Sequence, residues 1–325
     1  MLKKRTLLCS MALAAAALLP AAGAHAADYP ANPVKLIVPF PPGGNIDFTA
    51  RVLATSLGQA LGQSVVVTNM GGAGGLIGAG FVAKAPADGY TLLLGSTSSI
   101  TTAPAVKKQV AFDPIKDLVA LGGIQSVPLV LTVSSKLPVN TFDELARYSQ
   151  ANGPVSIGAS GIGSPAHLVI ELMNRHTRLK GLYVPYQGSG PALTDLLGGQ
   201  IQGMTDQINS SIPYLREGRI KALAQFGDKR SALLPDVATL AEMGVPGVTA
   251  LTFTGLFAPA GLPPDVQAKL VAAHQKAMAD PALRARFTEI GADIMDMSQP
   301  DFARFVAADF ARWQAIARES NISVP

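Results

Sequence analysis

The chain has 325 residues, with 26 Lys and Arg against 22 Asp and Glu and a formal net charge of +4. No dense basic run stands in it, which excludes nucleic acid and an anionic membrane surface as partners on charge grounds. A single cysteine, Cys9, excludes a disulfide framework, and the length suffices for a large core and two domains without covalent staples.

Residues 1–26 read as an export signal. Lys3-Lys4-Arg5 form a positive start, Leu7 to Leu19 a short apolar run, and Ala24-His25-Ala26 a small-residue cleavage site. The run falls short of the ~20 residues a spanning helix needs, and Leu8 before Cys9 is not the small residue of a lipoprotein site. The sequence predicts a protein cleaved near Ala26 and released to a bacterial periplasm. Loss of Lys3, Lys4 and Arg5 leaves 23 basic residues against 22 acidic, a mature charge of +1, and Cys9 leaves with them.

Strands and helices then alternate to the end, which predicts α/β layers with mainly parallel sheets. Val34–Val38 is a β-branched strand, and Pro39-Phe-Pro-Pro-Gly-Gly44 a loop. Asp47–Leu61 has helical spacing (Phe48, Val52, Leu53, Leu57) and stops at Gly62. Ser64–Thr68 reads as a strand, Gly71–Gly75 as a glycine-rich turn, and Leu76–Ala85 as a helix. Tyr90–Leu94 is the next strand and ends in Gly95-Ser-Thr-Ser-Ser99. Two separate strands are expected at Leu121–Ile124 and Leu129–Val133. Thr141 caps a helix over Phe142–Gln150, with Glu144 completing a capping box.

A strand from Val155 runs into the small residues Gly158–Ser164, and a helix opens at Pro165. Tyr183–Tyr186 and Gln202–Thr205 read as strands, with a helix at Pro191–Leu197 between them. Helix Ser211–Glu217 and strand Lys221–Gln225 follow, then a β-rich stretch at Thr252–Ala258. The tail is helical over Pro264–Met278, Pro281–Ile290 and Gln299–Glu319, the last carrying Trp313. His176 and His274 sit in polar helical contexts and read as surface residues.

Small-residue loops recur at strand ends: after Val38, Thr68, Leu94, Ile157 and Val184. Open α/β sheets bind ligands at the carboxyl ends of strands, so these loops are the candidate site. The segment Val155–His167 is the most informative of them, because a strand–loop–helix start leaves N–H groups free at the positive end of the helix dipole.

Three chemistries can be read there. Gly161-Ile-Gly163-Ser-Pro-Ala166 fits the dinucleotide fingerprint, but the next strand ends in Tyr186-Gln187 without the acid that fingerprint requires. Gly158-Ala-Ser160 begins a nucleophile elbow, but Ile162 stands where the second glycine belongs. A hydrolase using Ser160 or Ser164 with His167 still has no evident acid partner. The third reading, an anion cradle in a binding protein, needs only backbone N–H groups and hydroxyls. No metal-ligand spacing occurs and no cofactor is expected.

Several segments together resemble the Bug family, the substrate-binding proteins of tripartite tricarboxylate transporters. They are Val38-Pro-Phe-Pro-Pro-Gly-Gly-Asn-Ile-Asp47 with Arg51, Thr68–Gly75, and Ala87-Asp-Gly-Tyr-Thr-Leu92. The second half adds Gly158–Leu168 with Glu171, Val184-Pro-Tyr-Gln-Gly188, Pro191-Ala192, Asp195-Leu196 and Gly199. The resemblance covers the whole mature chain. Two departures stand out: Thr68-Asn69-Met70-Gly71 replaces Glu-Asn-Arg-Pro, and Gln187 stands where the family often has Lys.

The resemblance implies a two-lobed periplasmic binding fold, with lobe 1 at 27–125 and 250–325 and lobe 2 at 126–249. It implies a small carboxylate, mono- or dicarboxylate, an aromatic one included, held between the lobes. First-lobe contacts carried onto this chain are Phe40, Pro41, Gly44, Ser96, Thr97, Ser98 and Ser99. Second-lobe contacts are Ser160, Gly163, Ser164, His167, Gln187, Gly188 and Asp206, while Asp47 and Arg51 look structural. The expected protein is a monomeric, non-enzymatic receptor that delivers its ligand to a membrane permease. An exported hydrolase and a periplasmic sensor subunit remain the alternatives.

Overall fold

The computed structural model describes residues Tyr29–Glu319 and Ile322. The leader read at 1–26, with Cys9, lies outside the described residues. Strand β1 (Val34–Val38) buries Val34, Leu36, Ile37 and Val38, apolar residues of both faces, and exposes only Lys35 near its start, as a strand flanked by neighbours and covered by helices does. Helix α1 (Asn45–Leu61) opens two residues before Asp47, because Gly44 already holds the extended N-cap conformation. It stops at Gly62, whose φ of 72° lets its N–H return to Gly58 O at 2.9 Å.

Strand β2 (Val65–Asn69), helix α2 (Leu76–Ala83) and strand β3 (Thr91–Ser96) follow. Strands β2 and β3 flank β1, both parallel to it. A π-helical turn over Thr97–Thr102 and the short α3 (Ala103–Val106) lead to β4.

Strand β4 (Leu118–Ser134) departs from expectation. It is one strand of 17 residues where the sequence reads two. Residues Leu118–Pro128 pair antiparallel with β9 (Leu251–Pro259), and Leu129–Ser134 pair antiparallel with β7 (Gly203–Gln207) and β8 (Ile220–Gln225). Pro128 stands at the change of partner, where a missing N–H is tolerated. The register against β9 shifts around Gly122–Gly123. A Cβ on Gly122 would lie 2.2 Å from the His274 ring, so the strand bends where a helix presses on it.

The second half repeats the βα alternation: α4 (Phe142–Asn152), β5 (Val155–Ser160), α5 (Pro165–His176), β6 (Gly181–Tyr186), α6 (Ser189–Gly198), β7, α7 (Ile208–Arg216) and β8. Strand β5 is parallel to both β6 and β7. Thr141 Oγ1 caps α4 by accepting the Glu144 N–H, while Glu144 reaches back one residue further than expected, to the Asn140 N–H. After β9 come α8 (Pro264–Met278), α9 (Pro281–Glu289), the two-residue β10 (Asp293–Ile294) against β4, and α10 (Gln299–Glu319).

The strand order is β2-β1-β3-β9-β4-β7-β5-β6. Outer strands are parallel, as alternating βα order requires, and the two long strands β4 and β9 run antiparallel through the middle. Leu36, Leu53, Leu57, Leu92 and Phe287 pack one core, and Leu145, Ile157, Leu168, Met173 and Phe226 another. Helix α10 serves both halves. Its Phe302 and Val306 pack with Ile37, Leu93 and Phe253, while Trp313 and Ala317 enter the second core. No helix among the described residues is long and apolar enough to cross a membrane.

His274 corrects the sequence reading. It lies on the buried side of α8 against Gly122, its Nε2 has no partner, and burial pushes its pKa down to about 4. The polar neighbours that suggested exposure occupy the other face of the helix.

Candidate ligand-binding cleft

The loop after β1 is held from below. Asp47 Oδ2 accepts the Gly43 N–H at 3.0 Å, and Arg51 grips both carboxylate oxygens at 3.0 Å. Asn69 Nδ2 donates to Asp47 Oδ1 at 2.9 Å and to Phe40 O at 3.1 Å. Burial alone would raise the Asp47 carboxyl, but Arg51, Gly43 and Asn69 together hold it below its ordinary pKa. Asp47 and Arg51 thus shape the loop, and the Arg51 charge is spent there.

The glycine-rich segment is the bed beneath Phe40. A Cβ on Gly71 would touch Pro41 at 3.0 Å. One on Gly75, whose φ is +95°, would meet Ser99 Cβ at 2.7 Å and Phe40 Cζ at 3.2 Å. Glycine here is required both by backbone conformation and by close approach.

The run Ser96–Ser99 closes the π-helical turn. Ser96 and Ser99 cap each other's backbone, and Thr97 Oγ1 accepts the Phe253 N–H at 2.7 Å, tying the turn to β9. These three side chains are buried and committed. Ser98 is the one partly exposed, and its hydroxyl donates to Gly74 O at 2.9 Å.

Across from it lies the loop after β5. Ser164 Oγ caps α5 by accepting the His167 N–H at 3.1 Å. His167 Nδ1 accepts the Gly163 N–H at 3.2 Å, and its ring stacks on Tyr183 with centroids 4.0 Å apart. With Nδ1 so occupied, the neutral ring carries its proton on Nε2, which faces Glu171 at 3.9 Å. Burial pushes the pKa of His167 down to about 4. Gly161 N–H bonds Tyr186 O at 2.8 Å, whereas the N–H groups of Ile162 and Ala166 make no bond among the described residues. Ile162 O sits 3.6 Å from where a Cβ on Gly74 would stand, so the two loops nearly touch.

Two further helices open nearby. Helix α6 starts after the extended Gly188, and α7 after Gln207; like α1 after Gly44, neither has a side-chain cap. Contacts join all three. Asn209 in the first turn of α7 donates to Asn45 of α1 at 2.7 Å, and Ser189 of α6 bonds Asp206 at the end of β7. Burial raises the pKa of Asp206, and hydrogen bonds from Ser210, Ser189 and the Gln207 backbone offset only part of that rise. Asn45 Nδ2 is buried with no partner. Each uncapped N-terminus favours an anion by about 0.3–1 kcal/mol when exposed and up to ~2 when partly buried.

Phe40, Pro41, Gly44, Ser98, Gln187, Gly188 and Asp206 therefore lie on or beside these loop ends, together with Ser160 at the end of β5. Asn45, Asn209, Ser189 and Ser210 join them, unread in the sequence. The only available signal was for Asn45, which directly follows Gly44 at a helix opening.

The arrangement gives little purchase to the other chemistries. Ser160 is the last residue of an extended strand, four residues short of the helix, and not on an elbow. His167 has neither ring nitrogen on a serine hydroxyl. Among the described residues no group of three His, Cys, Asp or Glu is placed to hold a metal ion. Two shallow surface depressions lie over α8 and the start of α10, and neither contains a candidate residue.

Residues 49–322 match the family model described as the tripartite tricarboxylate transporter family receptor. Protein BugT of Bordetella pertussis is 38% identical over 304 residues, covering 93% of either chain. The solved periplasmic binding protein BugD is 34% identical with a TM-score of 0.83, covering 91% of this chain and 99% of its own. An R. palustris protein solved with adipate is 35% identical with a TM-score of 0.84 over the same shares. MatC of Rhodopseudomonas palustris, solved with malate, is 34% identical with a TM-score of 0.81, covering 89% of this chain and 99% of its own.

Proposed function

The chain belongs to the tripartite tricarboxylate transporter receptor family, and on that premise we propose that it captures a small carboxylate in the periplasm and delivers it to a membrane permease. One observation carries the reading. The uncapped N-termini of α1 and α7 are joined at Asn45, whose buried Nδ2 donor has no partner. A carboxylate supplies acceptor atoms and negative charge to such a place without needing a cation. Relatives solved with adipate and malate hold ligands of this class.

We assign ligand contacts to Phe40, Pro41, Gly44, Asn45, Ser98, Ser160, Gln187, Gly188 and Asp206. Ser96, Thr97, Ser99, Gly163, Ser164 and His167 hold these in place. The lobes are taken as 27–125 with 250–325, and 126–249. The change of partner in β4 at Pro128 supports a hinge there. The leader-like residues 1–26 support export.

A thermal-shift screen of carboxylic acids tests this. A ligand at 100 times its Kd should stabilise the protein by about 2.7 kcal/mol, and the matching amides and esters should do much less. Equal shifts for acid and amide would remove the carboxylate from the assignment.

A further inference from the structure

Asp206 is 4% exposed and lies opposite Val130 of β4. Its carboxyl meets the Ser210 and Ser189 hydroxyls and the Gln207 N–H. Among the described residues no cation joins them. Strands β4 and β5, on either side of β7, carry no titratable residue. On α6, Asp195 accepts from Tyr186 at 2.6 Å, and on α5 the neutral His167 faces Tyr183 and Glu171, with Arg175 and His176 at the exposed far end. Lys221 of β8 is bound to Leu137 O at 2.8 Å, Arg51 of α1 to Asp47, and Tyr214 and Arg216 lie in the last turn of α7.

Two proton arrangements are open at Ser210. Its hydroxyl has one proton and two acceptors in reach, Gln207 O at 2.7 Å and Asp206 Oδ2. One proton cannot serve both. If it goes to Gln207, the proton between Ser210 Oγ and Asp206 Oδ2 belongs to Asp206. We propose that Asp206 is a neutral acid at physiological pH, its Oδ2–H donated to Ser210 Oγ, and that carboxylate capture binds this protonated form. The proposal rests on the receptor reading of the cleft for its ligand and on the Ser210 geometry for its proton.

Burial without a cation acts in the same direction. A neutral Asp206 spares a ligand carboxylate from repulsion where helix N-termini gather it, and it offers a ligand ammonium no counter-charge. Amino acids therefore bind less well than dicarboxylates or hydroxy acids of equal length. A bound carboxylate raises the proton affinity of Asp206 further. Affinity is full while the free protein is already protonated, and falls as pH rises through the pKa of the complex, by up to about tenfold per pH unit because one proton is linked.

The test has two arms on the intact mature protein. Infrared difference spectra of ligand-free wild type against Asp206→Asn should show a protonated-acid carbonyl band at neutral pH. Ser210→Ala, which deletes the acceptor, should shift that band, whereas the buried Asp309 would not respond. Calorimetry with adipate and malate in buffers of different ionisation enthalpy should show no proton exchange in wild type at neutral pH, where Asp206 already holds its proton, and proton uptake at alkaline pH, where the free protein has lost it. It should also show a pH-flat affinity in Asp206→Asn that exceeds wild type at alkaline pH. An ionised Asp206 at neutral pH, or proton release on binding, overturns the proposal. If no acid binds, the receptor reading fails while the infrared arm still decides the state of Asp206. If Asp206→Asn does not fold, the response of the wild-type band to Ser210→Ala decides alone.

Discussion

Asn209 Nδ2 donates a 2.7 Å hydrogen bond to Asn45 Oδ1, joining α7 to the first turn of α1 across 164 residues of sequence. The amide of Asn45 is thus engaged on one side and open on the other, since its Nδ2 is buried without a partner.

Asn209→Ala removes the donor to Asn45 from the far lobe. One such bond is worth about 0.5–1.5 kcal/mol, so adipate or malate affinity should fall roughly two- to tenfold, mainly through faster release. Stopped-flow dissociation checks this; identical release rates would mean that Asn45 needs no support from α7.

Gly75→Ala places a methyl group 2.7 Å from Ser99 Cβ and 3.2 Å from Phe40 at a φ of +95°. Strain and overpacking each cost about 1–3 kcal/mol, and the Phe40 wall must move. Stability and ligand affinity should drop together. At Gly62, φ +72° with open space around it, the same substitution should lower the melting temperature alone. Calorimetric unfolding and ligand titration of both variants separate strain from site damage.

Ser164 Oγ accepts the His167 N–H while the His167 ring accepts the Gly163 N–H, so no ester turnover is expected from Ser160 or Ser164. Ser164→Ala should instead destabilise α5 by about 1 kcal/mol. Incubation of wild type and Ser160→Ala with p-nitrophenyl esters decides the matter; serine-dependent turnover would restore the hydrolase reading.

His274 is buried neutral, its pKa pushed down to about 4 from the ordinary 6.5. The unfolded chain therefore binds the extra proton first. The stability in question is intact above about pH 6.5 and is lost as pH falls toward 4, on the order of 3 kcal/mol. His167, displaced the same way, adds to the effect. Denaturant midpoints between neutral and mildly acid pH should fall steeply in wild type and less so in His274→Gln. Parallel curves would show that His274 contributes nothing.

Local signals were legible where chain and fold agree. Val34–Val38, Pro264–Met278 and Gln299–Glu319 keep the bounds that apolar spacing and Pro or Gly punctuation set. Strand β4 was not legible, because the β9, β7 and β8 ladders override the local breaking tendency of Gly122, Gly123 and Pro128. The burial of His274 was hidden for a related reason: helical polarity says which residues are polar, not which face a distant strand will cover. At the cleft, the strand-end loops that carry Phe40, Gly44, Ser98 and Gly188 stood out as loop chemistry, and family resemblance supplied their contact roles together with that of Asp206. Asn209 and Ser210 did not stand out, since their meaning lies in partners brought together only by folding.

The unbroken β4 also sets what can be done with this molecule as a device. Its two ends belong to different sheets, so neither half can be expressed alone without leaving half a strand unpaired and exposed to aggregation.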